Sequence, residues 1–183
     1  MSFASPVPRW YVLLKGGLLA LLTGNTAIYL ISGTPSEALD SVAWLALLVS
    51  FELETGFQEP FGGRRAAVAL RVLRLMGAAA LALAAIGYVR DNEWLDAINV
   101  GLWIAVVALL EIEVRRADAV ARNRPWFEAA AVALYSGLAV LVMIWLWRRE
   151  WFDAYDAALW LIAFAIIEMN VLQRLPRAAG TSV

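Results

Sequence analysis

The stretch Asp40-Ser41-Val42-Ala43-Trp44, followed by Glu52-Leu53-Glu54, decides the fold because it occurs three times. It returns as Asn99-Val100-Gly101-Leu102-Trp103 with Glu111-Ile112-Glu113, and again as Asp156-Ala157-Ala158-Leu159-Trp160 with Glu168-Met169-Asn170. The internal spacings are identical, and the copies are separated by 59 and then 57 positions. The match continues backward without a gap through Glu37-Ala38, Asp96-Ala97 and Asp153-Ala154 to Tyr29, Tyr88 and Trp145. Self-similarity at a nearly fixed period is the mark of a tandem repeat.

Around these copies the chain reads as lipid-embedded. Of its 183 residues, 62% are hydrophobic and 17% charged, whereas an ordinary soluble domain has about 45–50% and about 25%. Mean hydropathy is +0.69. Long apolar runs mark six helices, at about Trp10–Ile31, Leu39–Glu54, Ala66–Val89, Trp94–Val114, Phe127–Trp147 and Phe152–Leu175. The second is the weakest, since its apolar run meets Glu52 and Glu54, and the repeat supports it. Turn residues separate the spans, including Ser32-Gly33-Thr34-Pro35, Glu59-Pro60-Phe61-Gly62-Gly63, Arg90-Asp91-Asn92 and Arg122-Asn123-Arg124-Pro125. The expected fold is all-α. It is a single polytopic membrane domain over residues 1–183, with six transmembrane helices arranged as three tandem helical hairpins at approximately 10–57, 66–116 and 127–175. Hairpins that each return to their starting side share one orientation. A pseudo-threefold axis along the membrane normal can relate them, with equivalent residues at equal depth.

Short loops rich in Lys and Arg stay in the cytoplasm. Of the 15 basic residues, all but Arg90, Arg148 and Arg149 fall at the two termini or around the second and fourth connections. Both termini are therefore expected inside. The apolar run after Arg9 is too long for a signal peptide, contains Lys15 and lacks a clear cleavage site, so it reads as a retained first helix. A bacterial inner membrane is the expected location. The chain has no histidine and no cysteine, which excludes His-ligated haem, His/Cys zinc sites, iron–sulfur clusters, disulfides, thiol catalysis and a Ser-His-Asp triad. No cofactor and no metal site is expected.

The candidate site residues are the repeated ones. Glu37, Asp96 and Asp153, with Asp40, Asn99 and Asp156 three residues later, stand where the second helix of each hairpin begins. Helix capping is their simplest role, because a carboxylate there meets free backbone N–H groups and the positive end of the helix dipole. Trp44, Trp103 and Trp160 lie one turn further in and are expected as interfacial aromatics of a membrane belt. The competing arrangement is a stacked collar around the axis. Glu52, Glu111 and Glu168 lie about 18 Å along the helix from the repeated Asp or Asn, at a rise of about 1.5 Å per residue. Ionised groups at that depth must face protein or water. Lys15 and Arg74 occupy equivalent positions on the first helices of their hairpins, and the third copy has Ala131 there, in the same unit where Glu54 and Glu113 become Asn170. This co-variation predicts structural ion pairs Lys15–Glu54 and Arg74–Glu113. The triad Glu52, Glu111 and Glu168 then remains as the candidate ion- or proton-binding set; the competing structural reading has Arg71, Arg115, Arg116 or neighbouring helix ends neutralise it, so that it fixes helix register.

These features point to a small transporter or channel-like protein that uses the inner-leaflet carboxylate triad for protons or cations. The alternative is a non-catalytic subunit or assembly partner of a larger membrane complex. An enzyme is less favoured, since no nucleophile or phosphate loop accompanies the carboxylates. The expected partners are membrane lipid, a proton or cation, and a membrane protein or second copy of the chain, with no nucleic acid. Small residues along the odd-numbered spans, among them Gly16, Gly17, Gly24, Gly77, Gly87 and Gly137, are expected to let helices approach closely. Asn25, the lone mid-span amide of its kind, is expected to hydrogen-bond across helices.

Overall fold

The computed structural model describes residues 9–56 and 64–174, which are helical almost throughout. In chain order the helices are α1 (Arg9–Ser32), α2 (Pro35–Gly56), α3 (Arg64–Asp91), α4 (Trp94–Arg115), α5 (Ala117–Arg122), α6 (Arg124–Arg148) and α7 (Trp151–Arg174). Among the described residues there is no strand. Four helices, α1, α3, α4 and α6, are long and apolar enough to cross a membrane, and only 17% to 22% of the residues in each span are buried by protein. The outward surface, with Leu13, Ile31, Leu75 and Met143 exposed, is of the kind that hydrocarbon covers. Helix α2 falls outside that set because acids punctuate it: Glu37, Asp40, Glu52 and Glu54.

The six long helices form a closed ring. Each packs on the next in the chain, α4 reaches α6 across the short α5, and α7 returns to α1. Helices α2 and α3 share the most extensive contact, and small residues permit it. A Cβ on Gly87 would collide with Ser36 Oγ, and one on Gly77 would stand 2.9 Å from a methyl of Leu47. Between α6 and α4, a Cβ on Gly137 would lie 3.2 Å from Leu102. The glycines of α1 differ from the expectation, since Gly16, Gly17 and Gly24 have open space around them and mediate no close approach.

Three connections lie at one end of the ring, each of two residues: Gly33-Thr34, Asn92-Glu93 and Arg149-Glu150. Asn92 and Arg149 take the left-handed conformation, with φ of 63° and 64°. This lets the Glu93 N–H reach the Tyr88 carbonyl at 2.8 Å and the Glu150 N–H reach the Trp145 carbonyl at 2.9 Å, the reversal that closes many helices. At the other end, α5 occupies the fourth connection where the sequence predicts a loop. Ala117, Ala119 and Ala121 are strong helix formers, and Asn123 ends the helix by donating backbone and side-chain N–H groups to the Ala119 carbonyl. Pro125 then opens α6, where its missing N–H costs nothing.

The largest of three buried apolar clusters among the described residues lies around the repeated tryptophans. Leu18 and Leu22 of α1, Leu81 of α3, Val106 of α4 and Leu138 of α6 surround Trp44, Trp103, Trp160 and Phe164. Introducing Leu at Gly87 is expected to destabilise the α2–α3 contact by about 1–3 kcal/mol through overpacking. Gly24→Ala, in open space, is expected to stabilise by up to about 1 kcal/mol through helix propensity. Unfolding midpoints of the two variants in detergent, compared with the parent, check both.

Candidate functional site

The repeated tryptophans meet at the centre of the ring. Trp44, Trp103 and Trp160 are 7%, 3% and 8% exposed. The Trp44 ring centroid lies 6.3 Å from that of Trp103 and 6.1 Å from that of Trp160, and Phe164 stacks beneath at 4.6 Å from Trp103. These side chains face the axis rather than lipid, so the collar describes them and the belt does not. Tyr88 and Trp145 are buried with them, whereas Trp94, Trp147 and Trp151 are exposed at the same end, as belt residues are. The reason lies in the helical period. Asp40 and Trp44, Asn99 and Trp103, and Asp156 and Trp160 are each four apart and share a helix face. A carboxylate at this depth turns away from hydrocarbon, and the tryptophan on its face turns with it. That spacing was the available signal for the collar.

Above the collar lies a cavity of about 40 Å³, and every member of the four outer sequence triplets lines it. Tyr29, Tyr88 and Trp145 come from the first helices of the hairpins. Glu37, Asp96 and Asp153 stand in the first turns of α2, α4 and α7, with Asp40, Asn99 and Asp156 one turn deeper and the tryptophans at the floor. Five carboxylates and no lysine or arginine face this space. A wider vestibule of about 410 Å³ shares Glu37, Asp96, Trp145 and Asp153 with it and adds Glu93, Glu150 and Arg148.

Capping accounts for part of this acidity. Thr34 and Glu37 form a reciprocal box, in which the Thr34 N–H donates to Glu37 Oε2 at 2.5 Å and the Glu37 N–H donates to Thr34 Oγ1 at 3.3 Å. Asp40, Asn99 and Asp156 lie beyond the first turn and cap nothing. Asp156 accepts a hydrogen bond from Asn25 Nδ2 at 2.7 Å, and Asp153 accepts one from the Tyr29 hydroxyl at 2.9 Å. Both bonds join α1 to α7, where the Tyr29 and Phe152 rings also meet at 5.0 Å. Asn25 thus bonds across helices as its chemistry requires. The position corresponding to Asn25 is Ala84 in α3 and Leu141 in α6, and neither side chain can donate. Asp40 Oδ1 and Asn99 Oδ1 are sealed from solvent without a hydrogen-bond partner. Glu93 Oε2, at the start of α4, is in the same condition. Burial, with the nearby Glu37, Asp91 and Asp153 charges, raises the Glu93 carboxyl above the ordinary glutamate range.

The inner acids are arranged otherwise than the co-variation implied. Lys15 forms its ion pair with Glu52, and the side chain of Glu54 lies outside the described residues. Glu52 lies about 3 Å along α2 closer to the collar than its neighbour two positions on, and its carboxylate is the one Lys15 reaches. Glu111 is 55% exposed and pairs with Arg115 one turn later on α4. The Glu168 side chain is also outside the described residues. Glu52 and Glu111 are therefore not an unpaired set. Arg74 and Glu113 both lie within the described helices, and each has an interaction partner. Among the described residues, no group of three Asp or Glu side chains is placed to hold a metal ion.

Removing the amide by Asn25→Leu is expected to destabilise the bundle by about 1–2 kcal/mol, because it strands a carboxylate that has one strong donor. A double-mutant cycle of Asn25→Leu with Asp156→Leu, read by unfolding midpoints, is expected to return a coupling of that size. Glu93→Gln is expected to raise stability at neutral pH. The native carboxyl titrates above its unfolded value, so its penalty is absent in acid and grows as pH rises through the native pKa. The gain should therefore shrink on acidification in a series of melts. The chain matches no protein-family model, no curated protein and no solved structure.

Proposed function

We propose that this chain is a small integral membrane transporter that takes protons or cations into the carboxylate cavity above the tryptophan collar. In this reading its six long helices are six spans, three tandem hairpins about a pseudo-threefold axis. The convergence of the four outer triplets on one space supports that symmetry. The basic residues cluster toward the opposite end, so the positive-inside rule turns the cavity outward and both termini toward the cytoplasm of a bacterial inner membrane. One observation carries the function. Five carboxylates and two unpartnered oxygens face a cavity whose lining has no basic side chain, and such a site is neutralised by a bound cation or by protons.

This moves the working site from the inner glutamates to the outer acids. The pairing of Glu52 with Lys15 and of Glu111 with Arg115 favours a structural role at the inner end. The apolar cluster beneath the collar, Val106, Ala163 and Phe164 among it, favours the second reading, a non-catalytic subunit or assembly partner of a larger membrane complex. Flux of protons and of monovalent cations through reconstituted liposomes separates these readings. Asp40→Asn with Asp156→Asn is expected to lower flux about tenfold or more, through loss of charged hydrogen-bonding groups. Glu52→Gln with Glu111→Gln and Glu168→Gln is expected to retain it. Silence of the folded parent protein toward every ion would overturn the transport reading and direct the next experiment to a native pull-down.

A further inference from the structure

We propose that the cavity over the collar holds the head of a primary amine cation, R–NH3+, with ammonium as its smallest form. The proposal rests on the cation-site reading above and names the class of cation. Two buried oxygens, Asp40 Oδ1 on α2 and Asn99 Oδ1 on α4, face the cavity with nothing donating to them. Trp44 and Tyr88 lie within reach of the Asp40 carboxylate, yet that oxygen stays unmatched. Both atoms are acceptors, so a ligand that meets them through hydrogen bonds is a donor. The surrounding carboxylates are uncompensated by any lining base, so the donor that balances them is positively charged.

Size and lining narrow the choice. The cavity volume of about 40 Å³ admits a group the size of a water molecule, which an ammonium head matches. Calcium and magnesium take six or more oxygen ligands, and no metal-holding set of acids is present among the described residues. The remaining lining is aromatic, the surface on which nitrogen cations are held well. The vestibule of about 410 Å³ shares Glu37, Asp96, Trp145 and Asp153 with the cavity, and on this proposal the substituent R lies there beside Trp94 and Leu95.

The purified full chain in detergent, titrated calorimetrically, tests this directly. Methylammonium and propylammonium chloride are expected to bind saturably, with sodium, potassium and tetramethylammonium about tenfold or more weaker, since the last offers no N–H donor. Asp40→Asn is expected to weaken methylammonium about tenfold to a hundredfold. Asn99→Asp, which restores the carboxylate found in the other two copies, is expected to tighten it, and both changes are near-isosteric, so circular dichroism melts confirm the fold. Equal binding of tetramethylammonium, equal binding of sodium or potassium, or no effect of Asp40→Asn would each overturn the proposal. Failure of every amine to bind while proton or alkali-cation flux persists overturns this inference alone. Absence of both binding and flux overturns the cation-site reading with it.

Discussion

Everything at the outer end depends on three indole rings meeting where three backbones do not. Helices α2, α4 and α7 make no close backbone approach to one another among the described residues. Their shared centre is built from Trp44, Trp103 and Trp160, with Phe164 filling the turn beneath. Large, stiff rings suit this gap, because aromatic pairs add attraction beyond the area they bury. Helices α1, α3, α4 and α6 supply much of the apolar exterior, and Glu37 and Asp40 of α2 and Asp153 and Asp156 of α7 are turned toward the cavity.

Much of this arrangement was legible in the residues themselves. The acid-Ala-x-[Asp/Asn]-x3-Trp pattern located the helix starts and identified the residues that line the cavity. Depth came from helix rise alone. Azimuth did not, since a tryptophan at headgroup depth is as well suited to a lipid belt as to a central stack. The four-residue spacing from acid to tryptophan held that information, and it outweighs the general preference of Trp for the interface. The pairing of Lys15 was harder to read. Glu52 and Glu54 are separated by about 200° around α2, and which of them Lys15 meets is fixed by the rotation of α1, which the repeat pattern does not specify.

Asymmetry was legible as a residue and illegible as a consequence. Asn25 stands out in the sequence as an amide with Ala84 and Leu141 in the matching places. Its bond to Asp156, with Tyr29 to Asp153, gives the α1–α7 seam two polar links. Asp40 and Asn99, in the other two copies, have an oxygen each left unmatched. A single substitution in one copy therefore distinguishes one seam as closed and leaves the cavity's remaining acceptors on the other two.

The two-residue turns at the mouth carry a mechanical consequence. A link of two residues reaches roughly 7 Å when extended, and each is already committed to reversing the chain between adjacent helices. None has slack to fold across the vestibule as a lid. Among the described residues, the rim of the vestibule is therefore set by the helix ends that these turns join.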